Sequence, residues 1–166
     1  MSTPTMTASP LPSAVDVREL LEGLLGREVE ATLGTGAVNP AEAPGAVVGV
    51  FTDDKGSLRA ILIIDLALAA YAGAAIALLP LPQAEKAVAN QALSENLLEN
   101  IFEVLNVAAS LFNHEGAPHV KLFESYKPEE TLPADVQKWV LAFVRRLDME
   151  LDVSGYGKGR VSVLAL

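Results

Sequence analysis

Residues 60–79 read AILIIDLALAAYAGAAIALL, and how this run is divided decides the fold. Taken whole, about 20 apolar residues are long enough to span a bilayer. Asp65 divides it. Before Asp65 stand the β-branched Ile61, Ile63 and Ile64, which favour an extended chain; after it come Ala and Leu, which favour a helix. The run therefore predicts a strand handing over to a helix, with Asp65 at or near the N-cap, where a carboxylate can accept from the first free amides. That helix, over residues 66–79, is too short to cross a membrane and stops at Pro80 and Pro82. Its apolar residues lie on nearly all sides, which predicts burial on several sides or at a subunit contact.

Working outward, residues 46–51 and 57–64 flank the turn residues Thr52, Asp53, Asp54, Lys55 and Gly56, the pattern of an antiparallel hairpin. Upstream, Ser13 suits the cap of a first helix over residues 14–25 that Gly26 ends, and residues 28–38 alternate as a strand. Residues 1–13, rich in Ser, Thr and Pro, predict a flexible tail without the basic and apolar regions of a signal peptide. Downstream of Pro82, a long helix is expected over residues 83–113, ended by Gly116 and Pro118. A strand over 119–126, a turn at 127–130 and a last helix over 134–145 follow, with Trp139, Leu141 and Val144 facing the core. Strands over 147–153 and 160–166 close the chain around a loop containing Gly155, Gly157 and Gly159. That loop leads into a strand, where a phosphate-cradling loop would lead into a helix, so it reads as a turn. The sum is one α+β domain over residues 14–166: an antiparallel or mixed six-stranded sheet packed with about four helices, with no evident sequence repeat.

Composition narrows the chemistry. Half of the 166 residues are apolar, enough for one core that buries roughly 70% of the unfolded surface at this size. A net charge of −9, without basic runs, argues against a nucleic-acid binder, whose affinity rests on clustered Lys and Arg. The absence of cysteine excludes disulfides, thiolate metal sites and a cysteine nucleophile, and fits a cytoplasmic location. His114 and His119 flank Gly116 and Pro118 in a loop without metal-ligand spacing, so no metal site is expected. Ser57, Ser125, Ser154 and Ser162 lack the surroundings of a nucleophile elbow. The acid pairs Asp53/Asp54 and Glu129/Glu130 lie in turns and read as solvated.

One helical face is left over. Glu99, Glu103, Asn106, Ser110 and Asn113 follow one another at intervals of four, three, four and three residues, which at 100° per residue makes one stripe. Leu98, Ile101, Leu105, Ala108 and Phe112 fall opposite and face the core, so the stripe faces outward. Any amphipathic helix shows water a polar face. Asn, however, is a poor helix-interior residue, and Phe102 projects beside the stripe where an aromatic can anchor a partner.

The segment ENIFEVLNVAAS, residues 99–110, resembles the signature helix of the CheC/CheX/FliY chemotaxis phosphatases, in which Asp or Ser is followed after three residues by Glu and after two more by Asn. The layout of hairpin, apolar helix, signature helix, strand, helix and closing hairpin is similar to CheX over residues 14–166. The resemblance implies a CheX/CheC-like fold and a phosphatase acting on the phospho-aspartate of a CheY-like response regulator. It implies that Glu103 grips the regulator and Asn106 orients the attacking water, with Glu99, Phe102 and Ser110 in the contact. No cofactor of the chain's own is implied, and the divalent metal, Mg, belongs to the regulator. Glu99 replaces the usual Asp or Ser, Ser110 stands where Gly is common, and one signature helix is present, as in CheX. The first two departures also suit a non-catalytic interaction module of the same fold. A homodimer through a sheet edge or the apolar helix is expected, because such surfaces need cover.

Overall fold

A computed structural model describes residues 9–166. The elements run α1 (Ala14–Leu25), β1 (Val29–Leu33), β2 (Ala46–Asp53), β3 (Leu58–Asp65), α2 (Leu66–Ile76), α3 (Leu81–Asn90), α4 (Glu95–Ala108), a 3-10 turn (Ala109–Phe112), β4 (Val120–Tyr126), α5 (Ala134–Gln137), β5 (Arg145–Val153) and β6 (Gly157–Ala165). The strands form one six-stranded sheet in the order β1-β5-β6-β3-β2-β4, and every pairing is antiparallel. This order has an internal symmetry that the sequence does not show. A helix and three strands (α1, β1–β3) are followed by a second helix and three strands (α4, β4–β6), and the first strand of each set pairs with the hairpin of the other.

The strand-to-helix handover at Asp65 is as the residue types dictate. Asp65 Oδ1 accepts from the Leu68 amide at 2.9 Å, and Arg160 Nε lies 3.9 Å from the other oxygen. Burial raises the Asp65 pKa against the pull of these partners. α1 is closed by a capping box, with Ser13 Oγ accepting from the Asp16 amide and Asp16 accepting from the Ser13 amide.

Both faces of the sheet are covered, which is why all of β2 is buried rather than every second residue. On the front, α1, α2 and α4 pack on Val47, Phe51, Leu62, Ile64, Leu151 and Val163. On the back, the segments around Val38 and around Val136 and Val140 cover Val48, Val50, Ile61, Ile63 and Leu164. A buried polar network pins these back segments. Ser162 Oγ donates to Asp148 Oδ1 at 2.6 Å and accepts from the Val38 amide at 2.9 Å. Arg146 pairs with Asp148 at 3.0 Å and donates to the Val140 and Ala142 carbonyls, both at 3.1 Å.

Four expectations are corrected. The strand expected over 28–38 ends at Leu33, because Gly34 and Gly36 take positive φ (81° and 84°) and turn the chain toward the back face. The long helix is cut in two, since Gln91 adopts the left-handed conformation (φ 53°) at the end of α3 and Ser94 caps α4 afresh. The last helix keeps one turn; residues 138–144 are turns held by Arg146, with Val136 and Val140 buried and Leu141 half-exposed. Asp53 is not solvated: its carboxylate is buried, accepts from the Lys55 and Ser57 amides at 2.9 Å each, and meets Arg59 Nε at 2.8 Å.

The expected tail splits. Residues 1–8 lie outside the described residues; Ser9 is buried with its carbonyl accepting from Arg145 at 2.8 Å, and Leu11 packs against the core. The apolar helix, which ends at Ile76, is largely covered within its own chain, by α3, α4 and β6, while Leu78 just beyond it stays exposed. Among the described residues no helix is long and apolar enough to cross a membrane.

Candidate functional site

α4 begins where Ser94 Oγ accepts from the Leu97 amide at 3.2 Å. Its buried side is Leu97, Ile101, Val104, Leu105 and Ala108. Two glycines let it sit deep. A Cβ on Gly73 of α2 would come within 2.9 Å of the Leu97 carbonyl, and one on Gly49 of β2 within 3.0 Å of Leu105. Asn100 Nδ2 then donates to the Gly73 carbonyl at 2.8 Å, which fixes the rotation of α4 about its own axis. The N-terminal half of the helix thus rests on α2 and the C-terminal half on the sheet.

With the rotation fixed, Glu99, Glu103, Asn106 and Ser110 all face solvent. Among the described residues no ion pair or side-chain hydrogen bond engages Glu103 or Asn106. Being three apart on one helix, their Cβ atoms are neighbours at about 5–6 Å. Phe102 is half-buried, with one side packed against the main core and the rest open beside the stripe.

Asn113 does not join the stripe. After Ala108 the helix tightens to 3-10 winding, advancing about 120° per residue instead of 100°. The Asn113 side chain is thereby carried inward, where it donates to the Val120 carbonyl (2.9 Å) and accepts from the Val120 amide (2.8 Å). This side-chain amide holds the start of β4, and its bonds to Val120 tie it to its own chain.

Beside Ser110, α1 and the 3-10 turn enclose an open cleft of about 360 Å³ lined by Asp16, Glu19, Leu20, Leu111 and His114. Hydrogen bonds from the Ser13 amide, then from its hydroxyl, hold the Asp16 carboxyl below its usual range, with a smaller pull from His114. Among the described residues no cluster of three or more His, Cys, Asp or Glu could hold a metal ion. The stripe offers two carboxylates, Glu99 and Glu103, the Asn106 amide and the Ser110 hydroxyl, on a rigid support, aimed at solvent. The residue that sequence reasoning passed over is Asn100; its signal was again an Asn in a helix interior, a position such a residue occupies only with a reason.

No family model and no curated protein matches the chain. Solved structures do. A chain of the FliM–SpeE complex from H. pylori matches with a TM-score of 0.58 at 12% identity, over 92% of this chain and 80% of that one. A chain of the CheX–CheY–BeF3–Mg+2 complex from Borrelia burgdorferi matches at 0.54 and 14%, over 89% and 91%. FliY from Thermotoga maritima matches at 0.53 and 16%, over 90% and 82%. The chain shares its fold with these FliM, CheX and FliY structures. In this CheX-like fold α4 lies on the helical face of the sheet, supported by α2 and β2, with its polar stripe turned away from both.

Proposed function

We propose that this chain is a phosphatase acting on the phospho-aspartate of a CheY-like response regulator, with α4 as the docking helix. The observation that carries the reading is the pair Glu103 and Asn106: exposed, one turn apart on a braced helix, and without an ion pair or side-chain hydrogen bond among the described residues. A structure of the same fold containing CheX, CheY, BeF3 and Mg supports it.

Glu103 supplies an acceptor for a cationic group on the regulator, a charge-assisted contact. Asn106 enters the regulator's site and holds a water in line with the acyl phosphate. The water oxygen attacks phosphorus, the bond between phosphorus and the aspartate oxygen breaks, and the products are the free carboxylate and inorganic phosphate, with the proton passing to solvent. Positioning and electrostatics carry most of phosphoryl transfer, so no general base is required of this chain. The divalent metal in this scheme is the regulator's own. Glu99, Phe102 and Ser110 complete the contact around the pair.

A second reading, a docking module without turnover, is favoured by Glu99 and Ser110, which depart from the phosphatase signature. The same fold also occurs in a complex of FliM with SpeE. Autodephosphorylation of phosphorylated regulators from the same genome, followed with and without the chain, separates the two. The phosphatase reading expects accelerated decay; binding without acceleration selects the module. Glu103→Ala weakens binding by about 1.5–3 kcal/mol, the worth of a hydrogen bond to a charged group.

The reading also includes a homodimer at a sheet edge, since α2 is largely covered. β1 and β4 are the edge strands, each with an exposed apolar side chain, Leu33 and Phe123. Sedimentation at micromolar concentration is expected to show a dimer, and a concentration-independent monomer removes this part alone.

A further inference from the structure

The back of the sheet carries a cleft that the α4 reading leaves unused. Its volume is about 550 Å³, a size typical of built binding sites. The turn at residues 39–43 forms one wall and the turn at 129–132 the other, while Leu132, Val140 and Leu141 supply the apolar lining. Both walls are braced. Asn39 Oδ1 accepts from the Ala41 amide at 3.0 Å, and Gln137 Nε2 donates to the Leu132 carbonyl at 2.6 Å. Gly45, at φ +91°, brings the two turns together so closely that a Cβ would sit 2.9 Å from the Glu129 nitrogen.

The charged side chains that line this cleft are of one sign. Glu42, Glu129 and Glu130 line the cleft, no Lys or Arg does, and among the described residues none of the three is in an ion pair. Leu141 is half-exposed, and in the same segment Phe143 is fully exposed, an apolar surface that the fold itself does not cover. We propose that this cleft docks a segment of a partner protein in which Lys or Arg side chains alternate with large apolar ones. The apolar side chains would be desolvated on Val140 and Leu141, and the cations would meet Glu42, Glu129 and Glu130. The charge complementarity selects a basic partner over an acidic or neutral one, and the exposed Leu141 and Phe143 select a polypeptide over a small molecule confined to the cleft. The site lies on the sheet face opposite α4, so it does not depend on the phosphatase reading.

The test uses the full chain, isotope-labelled for amide NMR, titrated with a synthetic peptide of alternating Lys and Leu and with a second of alternating Lys and Ser. The proposal expects saturable shifts confined to residues 39–43 and 129–143 with the Lys-Leu peptide, and at least about tenfold weaker binding, or 1.4 kcal/mol, with the Lys-Ser peptide. Leu141→Ser, at a half-exposed position that leaves the core intact, weakens the Lys-Leu peptide to the same degree, and so does the paired Glu129→Gln, Glu130→Gln variant. A wild-type-like spectrum of each free variant verifies its fold. Shifts centred on Glu95, Glu99 and Glu103, shifts spread over all acidic surfaces, unchanged binding by Leu141→Ser, or no binding at millimolar peptide would each overturn it.

Discussion

α2 and α4 are neighbours of similar length, cut from equally helix-prone sequence, and they meet opposite fates. Eight of the 11 residues of α2 are buried, against five of the 14 of α4. α2 is a spacer: its small residues let β6, α3 and α4 approach its backbone, so most of its positions are fixed by packing. α4 uses one side for packing and leaves the other without structural duty. In α2 the residues are explained by what they touch; in α4 the outward Glu99, Glu103 and Asn106 have no ion pair or side-chain hydrogen bond among the described residues, so we look for their explanation in a partner.

The largest way to break that contrast is to crowd α2. A Cβ on Gly159 of β6 would fall 2.4 Å from the Leu68 nitrogen and 2.6 Å from Asp65 Oδ1, backbone and cap that cannot yield cheaply. Gly159→Ala is expected to cost about 3 kcal/mol or more, at the upper end of overpacking changes, read as a lowered urea midpoint.

The contrast sharpens between two adjacent residues of α4. Leu105 is fully buried and Asn106 exposed. Leu105→Ala should destabilise by about 2–5 kcal/mol, whereas Asn106→Ala should stay within about 0.5 kcal/mol of wild type. Equal costs in thermal or urea unfolding would place Asn106 in the structure after all. Between these lies Asn100→Ala, which removes the bond to the Gly73 carbonyl and is expected to cost about 1 kcal/mol.

The smallest effects are those of pH on the two aspartates that end β2 and β3. Arg59, then the Ser57 amide, lower the Asp53 pKa from 3.8, so its stabilisation is complete above that value and lost as pH falls through the lower folded value. Asp65 is shifted the other way by burial, so the folded state binds its proton more readily and this carboxyl favours folding increasingly as pH falls toward 3.8. In pH-dependent unfolding, the advantage of wild type over Asp53→Asn should shrink on acidification. Relative to Asp65→Asn, wild type should gain over the same range.

Much of this contrast could be read from the chain because it is local. Asp65 between β-branched and Ala-rich residues announced the strand, the cap and the helix, and the four-three-four spacing placed Glu99, Glu103, Asn106 and Ser110 on one exposed face. What could not be read depended on contacts distant in sequence or on backbone states without a marker. Gln91 turns left-handed although no Gly or Pro stands there, so the break between α3 and α4 was marked only by the Ser94 cap, which alone did not outweigh the continuing helical pattern. Residues 138–144 lose their helix to carbonyl bonds from Arg146 and the network through Asp148 to Ser162, a residue of another strand. Asn113 shared the period of the stripe, and only the change to 3-10 winding turned it inward. The glycines at 34 and 36 were readable punctuation, and they end β1 where the alternation alone suggested it continue.

The most direct measurement of the central claim is the decay of a phosphorylated CheY-like regulator in the presence of wild-type chain and of Asn106→Ala, with unfolding followed on the same samples. The account predicts that wild type accelerates the decay and that Asn106→Ala loses about 10²–10³ of that rate, the worth of one well-placed orienting group, at unchanged stability and with the regulator still bound. Full activity in Asn106→Ala, or a loss of activity that merely tracks a loss of folded protein, would contradict it.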